Sequence, residues 1–403
     1  MEVSERFLNY IRTESQSDEK SGTHPSTGGQ LKMAELMVQE LKKAGAVDAF
    51  MDEKGYVYAH LQATRGMETK PVIGLIAHMD TAPSFSGRNI NPSIIEKYDG
   101  GDILLNRDRN IVLSPSEYAD LLKYVGQTLI VTDGTTLLGA DDKAGLAEII
   151  TAIEYIVQNN IPHPGIAVGF TPDEEIGEGT DYFDISLLGA DYAYTVDGGE
   201  LGELQYENFN AASAVVTVNG NCIHPGEGKN RMKNSILIAM EFNAMLPAWE
   251  TPAHTEGYEG FFHLTEIGGN EEKTVLHYIV RDHSMRIFEE RKAEMRRIEA
   301  YLNEKYGALT IELELKDSYY NMAEKVRPHM EIIDRAKAAF EKNGVTPLIN
   351  AIRGGTDGAR LSFMGLVCPN LSAGGHNFHG KYEYVPVESM ETMVRVLVTL
   401  LTE

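Results

Sequence analysis

Uninterrupted hydrophobic runs, separated by amphipathic segments, dominate the first half of the chain. Three runs are mainly apolar: residues 72–77, 165–170 and 191–196, of which the third begins at Asp191 and includes Thr195. Such runs are typical of strands that are buried on both faces of an α/β sheet. The spacing of apolar residues predicts helices over 4–14, 28–44 and 145–157. The pattern therefore predicts an α/β domain with a mixed sheet and helices on both of its faces.

After residue 208 the pattern changes to that of a smaller α+β unit. Predicted strands and helices follow one another in the order β-α-β-β-α-β, at residues 211–218, 232–246, 259–267, 273–281, 284–305 and 308–315. This is the order of a ferredoxin-like split unit. From about residue 317 the α/β pattern resumes, with a helix near 329–343. We therefore expect a large domain formed by 1–207 and 317–403, with 208–316 inserted into it.

Three stretches are rich in turn-forming residues. Residues 81–118 contain Gly, Pro, Asn and Asp at short intervals, so we expect few strands there. Glycine-rich loops are predicted at 353–358 and 374–380. The chain has no internal repeat and no low-complexity segment.

Composition narrows the class of protein. The 403 residues exceed one ordinary core, which favours two domains. A formal net charge of -24 repels phosphate backbones, so a nucleic-acid partner is not expected. The N-terminal segment has no apolar signal core, and the apolar runs are too short to cross a bilayer, which indicates a cytoplasmic protein without a membrane partner. The two cysteines, Cys222 and Cys368, are expected to be buried thiols rather than a disulfide.

Acidic residues and histidines follow the predicted buried strands. His78 and Asp80 come after the first strand, Glu174 and Glu175 after the second, and Asp197 after the third. Open α/β sheets place their sites at these carboxyl ends. Neighbouring acids are costly to desolvate without a cation, and imidazole and carboxylate are common ligands of divalent metals. The pattern favours a hydrolase site with two metal ions and one carboxylate left to act on water.

Some of these positions have alternative interpretations. Asp141 and Asp142 lie where a helix begins, and acids at that position often cap the helix and complement its dipole. Asp141 can nevertheless bridge two ions while Asp142 caps. His376 and His379 lie three residues apart, and their spacing alone does not choose between them as a ligand.

The segments that contain these residues resemble the M20 family of co-catalytic metallopeptidases, and most closely its tripeptide aminopeptidases. The matching segments occur in the family's order over nearly the whole chain: residues 77–81, 138–145, 171–177, 195–199, 353–358 and 377–380. The resemblance implies a catalytic domain that binds two zinc ions per subunit, with Co²⁺ or Mn²⁺ as substitutes. It implies five metal ligands: His78, Asp141, Glu175, Asp197 and His379.

The resemblance also implies roles beside the metals. Asp141 is expected to bridge the two ions, and the Asp141–Asp142 peptide is expected to be cis. Glu174 matches the general base, and Asp80 matches the acid that orients His78. The resemblance favours His379 over the neighbouring histidine.

The inserted domain resembles the lid and dimerisation domain of the family, which implies a homodimer. His224 matches a histidine that reaches the active site of a partner subunit and stabilises the oxyanion. Arg281 and Arg353 are candidate clamps for the terminal carboxylate of the peptide. Asn377 is a candidate hydrogen-bond donor to the peptide backbone.

The expected function is metal-dependent release of the N-terminal residue from short peptides, mainly tripeptides, with water as the nucleophile and Glu174 as the base. Two alternatives remain. One is another activity of the family, as a dipeptidase, a carboxypeptidase or an N-acyl-amino-acid deacylase. The other is a non-catalytic protein that binds peptide or metal on the same fold.

Overall fold

The computed structural model describes the whole chain, Met1–Glu403. Its α-helices are α1 (Val3–Tyr10), α2 (Gly28–Ala44), α3 (Ala140–Gln158), α4 (Ile185–Leu188), α5 (Ser235–Met245), α6 (Met285–Tyr306), α7 (Ala323–Val326), α8 (Met330–Lys342), α9 (Asp357–Met364) and α10 (Val387–Thr402). None of these helices combines the length and the apolarity needed to cross a bilayer.

The strands of the chain form four sheets. They are β1 (Phe50–Met51), β2 (Val57–Leu61), β3 (Ile73–His78), β4 (Pro92–Ile95), β5 (Ile103–Asn106), β6 (Ile111–Leu113), β7 (Leu129–Thr132), β8 (Ile166–Thr171), β9 (Tyr192–Gly198), β10 (Leu204–Gln205), β11 (Asn210–Asn219), β12 (Phe261–Gly269), β13 (Lys273–Asp282), β14 (Ile311–Tyr319), β15 (Asn370–Ser372) and β16 (Tyr384–Pro386).

Contacts divide the chain into two compact units. The first unit contains Met1–Tyr206, Lys325–Asn350 and Thr356–Glu403. The second unit contains Glu207–Glu324 and the short return segment Ala351–Gly355. The second unit is therefore an insertion within the sequence of the first.

The largest sheet of the first unit has seven strands in the order β1-β2-β8-β3-β9-β15-β10. Strand β3 lies parallel to β8 and to β9, and β9 lies parallel to β15, whereas the outer pairs are antiparallel. Every residue of β3 and of β8 is buried, so both faces of the sheet are covered. This confirms the prediction of a mixed sheet with buried central strands.

The second unit has a four-stranded antiparallel sheet in the order β12-β13-β11-β14, with helices α5 and α6 packed against it. Its core joins apolar residues of the sheet to Phe242 of α5 and to Phe288, Met295 and Leu302 of α6. The element order β11-α5-β12-β13-α6-β14 is the predicted ferredoxin-like order.

Two sequence predictions were wrong. Residues 81–118 contain three strands, β4, β5 and β6, of which β4 joins β7 and β16 in a small antiparallel sheet. These strands have three or four residues, too few for a periodic pattern to show, and distant apolar residues such as Tyr384 pack beside them. Cys222 is exposed rather than buried; Cys368 is buried, and both thiols are free.

One close backbone approach fixes helix α3 against the sheet. A Cβ atom on Gly145 would lie 2.0 Å from the carbonyl oxygen of Val196, in strand β9. Backbone atoms cannot rotate away as a flexible side chain can, so only glycine fits here. The contact sets the distance between the start of α3 and the end of β9.

Gly145→Ala should therefore lower the free energy of unfolding by roughly 1–3 kcal/mol, the usual cost of overpacking. Gly28→Ala is the matched control, because nothing lies within 4 Å of a Cβ atom there. That change should be neutral or stabilising by up to about 1 kcal/mol. Urea denaturation followed by circular dichroism measures both, and equal stability of the two variants would contradict the packing argument.

Candidate metal centre

The three central strands deliver their acidic and imidazole groups to one edge of the large sheet. Strand β3 ends at His78, β9 contains Asp197 near its end, and β8 ends at Thr171, three residues before Glu174. Because β8, β3 and β9 are adjacent and parallel, their carboxyl ends meet at the same edge. The chain direction thus gathers groups that are far apart in sequence, from His78 to Asp197.

Asp141 lies between two imidazoles. Its Oδ1 is 2.8 Å from Nε2 of His78, and its Oδ2 is 3.0 Å from Nε2 of His379. Asp197 approaches the first imidazole, with Oδ1 3.3 Å from His78 Nε2. Glu175 approaches the second, with Oε2 3.0 Å from His379 Nε2. The five groups form two half-sites that share the carboxylate of Asp141.

A buried carboxylate holds the segment that presents Asp141. The oxygens of Glu383 accept the backbone N–H groups of Leu138, Gly139 and Asp141 at 2.6, 3.0 and 3.2 Å. The Asp141–Asp142 peptide is cis, as the family resemblance implies, and both residues depart from helical dihedral angles. Glu383 therefore fixes the start of α3 in a position where the carboxylate of Asp141 faces the two histidines.

Asp142 has a different task from its neighbour. Its Oδ2 accepts the N–H of His78 at 3.2 Å, and its Oδ1 accepts the N–H of Gly145 at 3.2 Å. One of its oxygens also lies within 4.8 Å of ligand atoms of His78 and Asp197. These two bonds place Asp142 at the start of helix α3 and at the end of β3, where it caps the helix and holds the strand.

Asp80 connects the end of strand β3 to the turn that follows strand β8. Its two carboxylate oxygens accept the backbone N–H groups of Glu174 and Glu175 at 3.1 and 3.2 Å. Its carbonyl oxygen accepts the Nδ1–H of His78 at 3.1 Å, and its Oδ1 lies 3.4 Å from the same nitrogen. When His78 is neutral, that bond leaves its lone pair on Nε2, the nitrogen that faces Asp141 and would bind a metal ion. Asp80 thus positions three candidate residues at once.

The electrostatics of the cluster are those of a site that lacks counter-charge. Burial, followed by the charge of Asp141, raises the pKa of Glu175 to about 7. Burial likewise raises the pKa of Asp197 to about 6. Burial alone would raise the pKa of Asp141, but hydrogen bonds from His379 and His78 outweigh it and hold that pKa well below its usual range. The same bonds raise the pKa of His379 to about 11.

The donor set fits two divalent cations. Ligands about 2.0–2.1 Å from one tetrahedral ion lie about 3.3 Å apart, close to the separations between each imidazole and its carboxylates. The Oε1 atom of Glu175 is buried and has no hydrogen-bond partner, which is costly unless a cation uses it. Cations would also relieve the repulsion between the carboxylates of Asp141, Glu175 and Asp197.

The two candidate histidines of the 374–380 loop lie in different surroundings. His379 reaches Asp141 and Glu175, as described above. His376 stacks on Tyr384 with ring centroids 4.8 Å apart, and its Nε2 is 2.6 Å from the hydroxyl of Tyr124. Burial lowers the pKa of His376 to about 4. The structure therefore brings His379, and not His376, to the cluster.

Two of the remaining candidates form hydrogen bonds within their own loops. His224 is exposed, and its Nδ1 accepts the N–H of Gly226 at 3.2 Å. The Nδ2 of Asn377 donates to the carbonyl of Tyr382 at 3.1 Å, within its own loop.

The two candidate arginines differ in how many of their N–H groups already donate hydrogen bonds. Arg353 donates to the carbonyl oxygens of Gly257, Glu259 and Thr255 at 2.7, 3.0 and 3.2 Å, which occupies its guanidinium with a loop of the second unit. Arg281 donates one bond, from Nη1 to the carbonyl of Arg353 at 3.1 Å, and its buried Nε has no hydrogen-bond partner.

Sequence reasoning missed two residues that support the cluster. Glu383 gave no local signal, because its partners lie more than 240 positions away. Asp357 lies in a glycine-rich segment that the sequence singled out, but only its neighbour Arg353 was considered. Its Oδ2 accepts the hydroxyl of Thr171 at 2.8 Å, and burial raises its pKa to about 7. A Cβ atom on Gly179 would lie 2.4 Å from this carboxylate.

Two imidazoles and three carboxylates at the carboxyl edge of an α/β sheet define a metallohydrolase type of centre. Residues 132–403 match the model of peptidase family M20/M25/M40. Peptidase T of Halothermothrix orenii is 57% identical over 400 residues, which cover 99% of this chain and 98% of that protein. The chain belongs to peptidase family M20/M25/M40.

Solved structures share the fold over nearly the whole chain. Aminopeptidase PepT from Bacillus cereus gives a TM-score of 0.77 at 24% identity and covers 99% of this chain and 97% of its own. A tripeptidase from Staphylococcus aureus gives a TM-score of 0.78 at 21% identity, with the same coverage. At these identities the likeness concerns the arrangement of the chain, which is that of the M20 peptidase fold.

Affinity for Zn²⁺ should rise as pH increases from 5 to 8 in protein stripped of metal. The pKa values of Glu175 and Asp197, about 7 and about 6, mean that these acids must lose protons before they bind, and His379 must lose one too. Each displaced proton changes the affinity by up to about tenfold per pH unit below the pKa. Titration calorimetry in buffers of different ionisation enthalpy measures both affinity and proton release.

The same shifts set the pH dependence of the metal-free protein. An acid whose folded pKa is raised, such as Glu175, binds more protons when folded than when unfolded between about 4.5 and 7. Its contribution to stability is therefore lost as pH rises through that window. Glu148→Gln is the control for the zinc titration, because it removes a buried carboxyl that is not one of the five candidate ligands. Zinc affinity that stays constant or falls with rising pH would contradict the ligand assignment.

Proposed function

We propose that this protein is a metal-dependent aminopeptidase that releases the N-terminal residue of tripeptides. The observation that carries the proposal is the pair of half-sites that share Asp141. Glu174 directly precedes Glu175, a candidate ligand of one half-site. The names of the similar proteins support the substrate class, since they are called peptidase T, aminopeptidase and tripeptidase.

Two Zn²⁺ ions are the proposed cofactor. His78 and Asp197 would hold one ion, His379 and Glu175 the other, and Asp141 would bridge them. Mixed imidazole and carboxylate ligands suit zinc, and Co²⁺ or Mn²⁺ are plausible substitutes in such a set. Bound divalent cations supply two effects here, a lowered pKa of water and polarisation of the peptide carbonyl.

Glu174 would take the proton of the attacking water and return it to the leaving amine. Burial, followed by the charge of Asp197, raises the pKa of Glu174 well above its usual value. The bond from its N–H to Asp80 holds the backbone of the base in place. A protein that only binds peptide or metal has no need of such a group.

Substrate recognition would use the second unit. Arg281 is the better candidate to bind the terminal carboxylate, because its Nε has no hydrogen-bond partner. Arg353 would have to exchange its bonds to the 255–259 carbonyl groups before it could do so, so we propose that it supports this loop beside Arg281. Asn377 remains a candidate donor to the peptide backbone.

His224 of the partner subunit would stabilise the oxyanion. Because Nδ1 of this histidine accepts the N–H of Gly226, the ring proton resides on Nε2, which makes that exposed atom a donor. A homodimer through the second unit is supported by the apolar exposed residues Leu237, Met240 and Trp249 on and after helix α5, which are 64%, 59% and 73% exposed. A cytoplasmic location is part of the proposal and agrees with the free thiols.

A peptide panel tests the function. Free tripeptides should be hydrolysed with kcat/KM at least about tenfold above di- and tetrapeptides. A chelator should abolish this activity, and acetylation of the peptide amine should remove it because an aminopeptidase needs a free amine. Faster hydrolysis of dipeptides or N-acyl amino acids would instead establish one of the related activities, and no hydrolysis of any substrate by the metal-loaded protein would indicate a binding protein.

Mixing two inactive variants tests two roles together: Glu174 as the general base, and His224 as a residue that acts in the active site of the partner subunit. Glu174→Gln should lower kcat by roughly 10²–10⁴ while metal content is retained. His224→Ala should also lose activity while still forming a dimer. When the two variants are mixed and the subunits exchange, activity should return to about a quarter of wild type, because half of the dimers hold one complete site.

The double variant Glu174→Gln/His224→Ala is the control, because it must stay inactive when mixed with either single variant. Absence of any recovery in the first mixture, with exchange verified by mass spectrometry of tagged subunits, would show that His224 does not act across the dimer. Near wild-type kcat in Glu174→Gln would overturn the base assignment.

A further inference from the structure

A second cluster of ligand groups lies behind the turn that carries Glu174 and Glu175. It consists of His24, Asp173 and Glu178. The side chain of His24 is only 7% exposed, and neither of its ring nitrogens makes a hydrogen bond. A buried imidazole without hydrogen bonds is rare in folded proteins and needs an explanation.

The geometry of this cluster suits a metal ion. Nδ1 of His24 lies 3.3 Å from Oδ2 of Asp173, the separation expected for two ligands of one tetrahedral ion. Oε2 of Glu178 lies 4.0 Å from the same nitrogen, and one ligand atom of each residue falls within 4.8 Å of the others. Glu178 is 49% exposed, so its side chain is free to close this gap.

The two buried members are held in place by their neighbours. The ring of His24 stacks on Tyr56 with centroids 5.5 Å apart, and lies 4.8 Å from the ring of Tyr182. The Oδ1 of Asp173 accepts Nε2–H of Gln30 at 2.6 Å, and its Oδ2 accepts the N–H of Ser26 at 2.7 Å. A carboxylate oxygen has two lone pairs, so Oδ2 can still bind a cation.

No lysine or arginine side chain balances the negative charge of the cluster. Asp173 is fully buried, and neither it nor Glu178 forms an ion pair with a lysine or an arginine. A cavity of about 280 Å³ adjoins the cluster, and its lining includes His24, Glu178, Asp18 and Asp181. This cavity gives solvent and ions a route to His24 and Glu178, behind which Asp173 is buried, and has room for a water as a fourth ligand.

We infer that His24, Asp173 and Glu178 bind a further divalent transition-metal ion, separate from the two ions of the candidate centre. One imidazole, two carboxylates and a water would complete a four-coordinate site. The ion would tie the 18–27 segment to residues 173–178 and so restrain the turn that presents Glu174 and Glu175. The site stabilises this turn and takes no part in the chemistry.

Metal analysis of purified, zinc-loaded protein tests this site. Wild-type protein should hold one more ion per chain than either His24→Gln or Glu178→Gln. His60→Gln is the matched control, because His60 pairs with Asp48 elsewhere in the first unit and its loss should leave the metal content unchanged. Each variant is checked for native circular dichroism, and Glu178→Gln changes a half-exposed residue that a stable fold tolerates.

The comparison is a difference between variants, so it does not depend on the peptidase proposal or on how many ions the main cluster holds. Co²⁺ loading gives a second readout, because the two variants should lose the visible absorption of one tetrahedral Co²⁺ ion while the control retains it. Equal metal content and equal Co²⁺ spectra in wild type and both variants would overturn the inference and leave a simple pair between imidazole and carboxylates.

Discussion

Negative charge is concentrated at the carboxyl edge of the large sheet, and the first unit is organised around that constraint. Asp141, Glu175 and Asp197 converge there with two imidazoles as their counter-charge. Like charges in a buried setting repel strongly, and the raised pKa values of Glu175 and Asp197 show the cost. Divalent cations remove that cost, which is why a metal centre explains the acids better than any purely structural role does.

A second set of acids fixes the backbone segments that present the candidate ligands. Asp80, Asp142 and Glu383 accept backbone N–H groups, and Asp80 also approaches Nδ1 of His78. These bonds hold the end of β3, the turn after β8 and the start of α3 in one fixed relation. Such support is what gives metal ligands a defined geometry, since strands and loops alone would leave their side chains loosely placed. The number of acids near the site therefore exceeds the number of ligands.

The sequence was most informative where structure is local. The buried strands and the acids that follow them could be predicted, because a continuous apolar run and the residue at its end are adjacent in the chain. Glu383 could not be predicted, because its importance comes from three N–H groups far away in sequence. The strands within 81–118 could not be predicted for a related reason. Each is short, and its stability comes from packing against β7 and β16. His24 could not be predicted either, because Asp173 and Glu178 lie far from it in sequence.

The shared carboxylate of Asp141 is the central claim, and anomalous X-ray diffraction from crystals of the zinc-loaded protein tests it most directly. The account predicts two strong peaks at the zinc edge, roughly 3.5–4 Å apart, one on each side of the Asp141 carboxylate and each beside one imidazole. A single peak at this edge of the sheet, or two peaks that do not both touch Asp141, would contradict it.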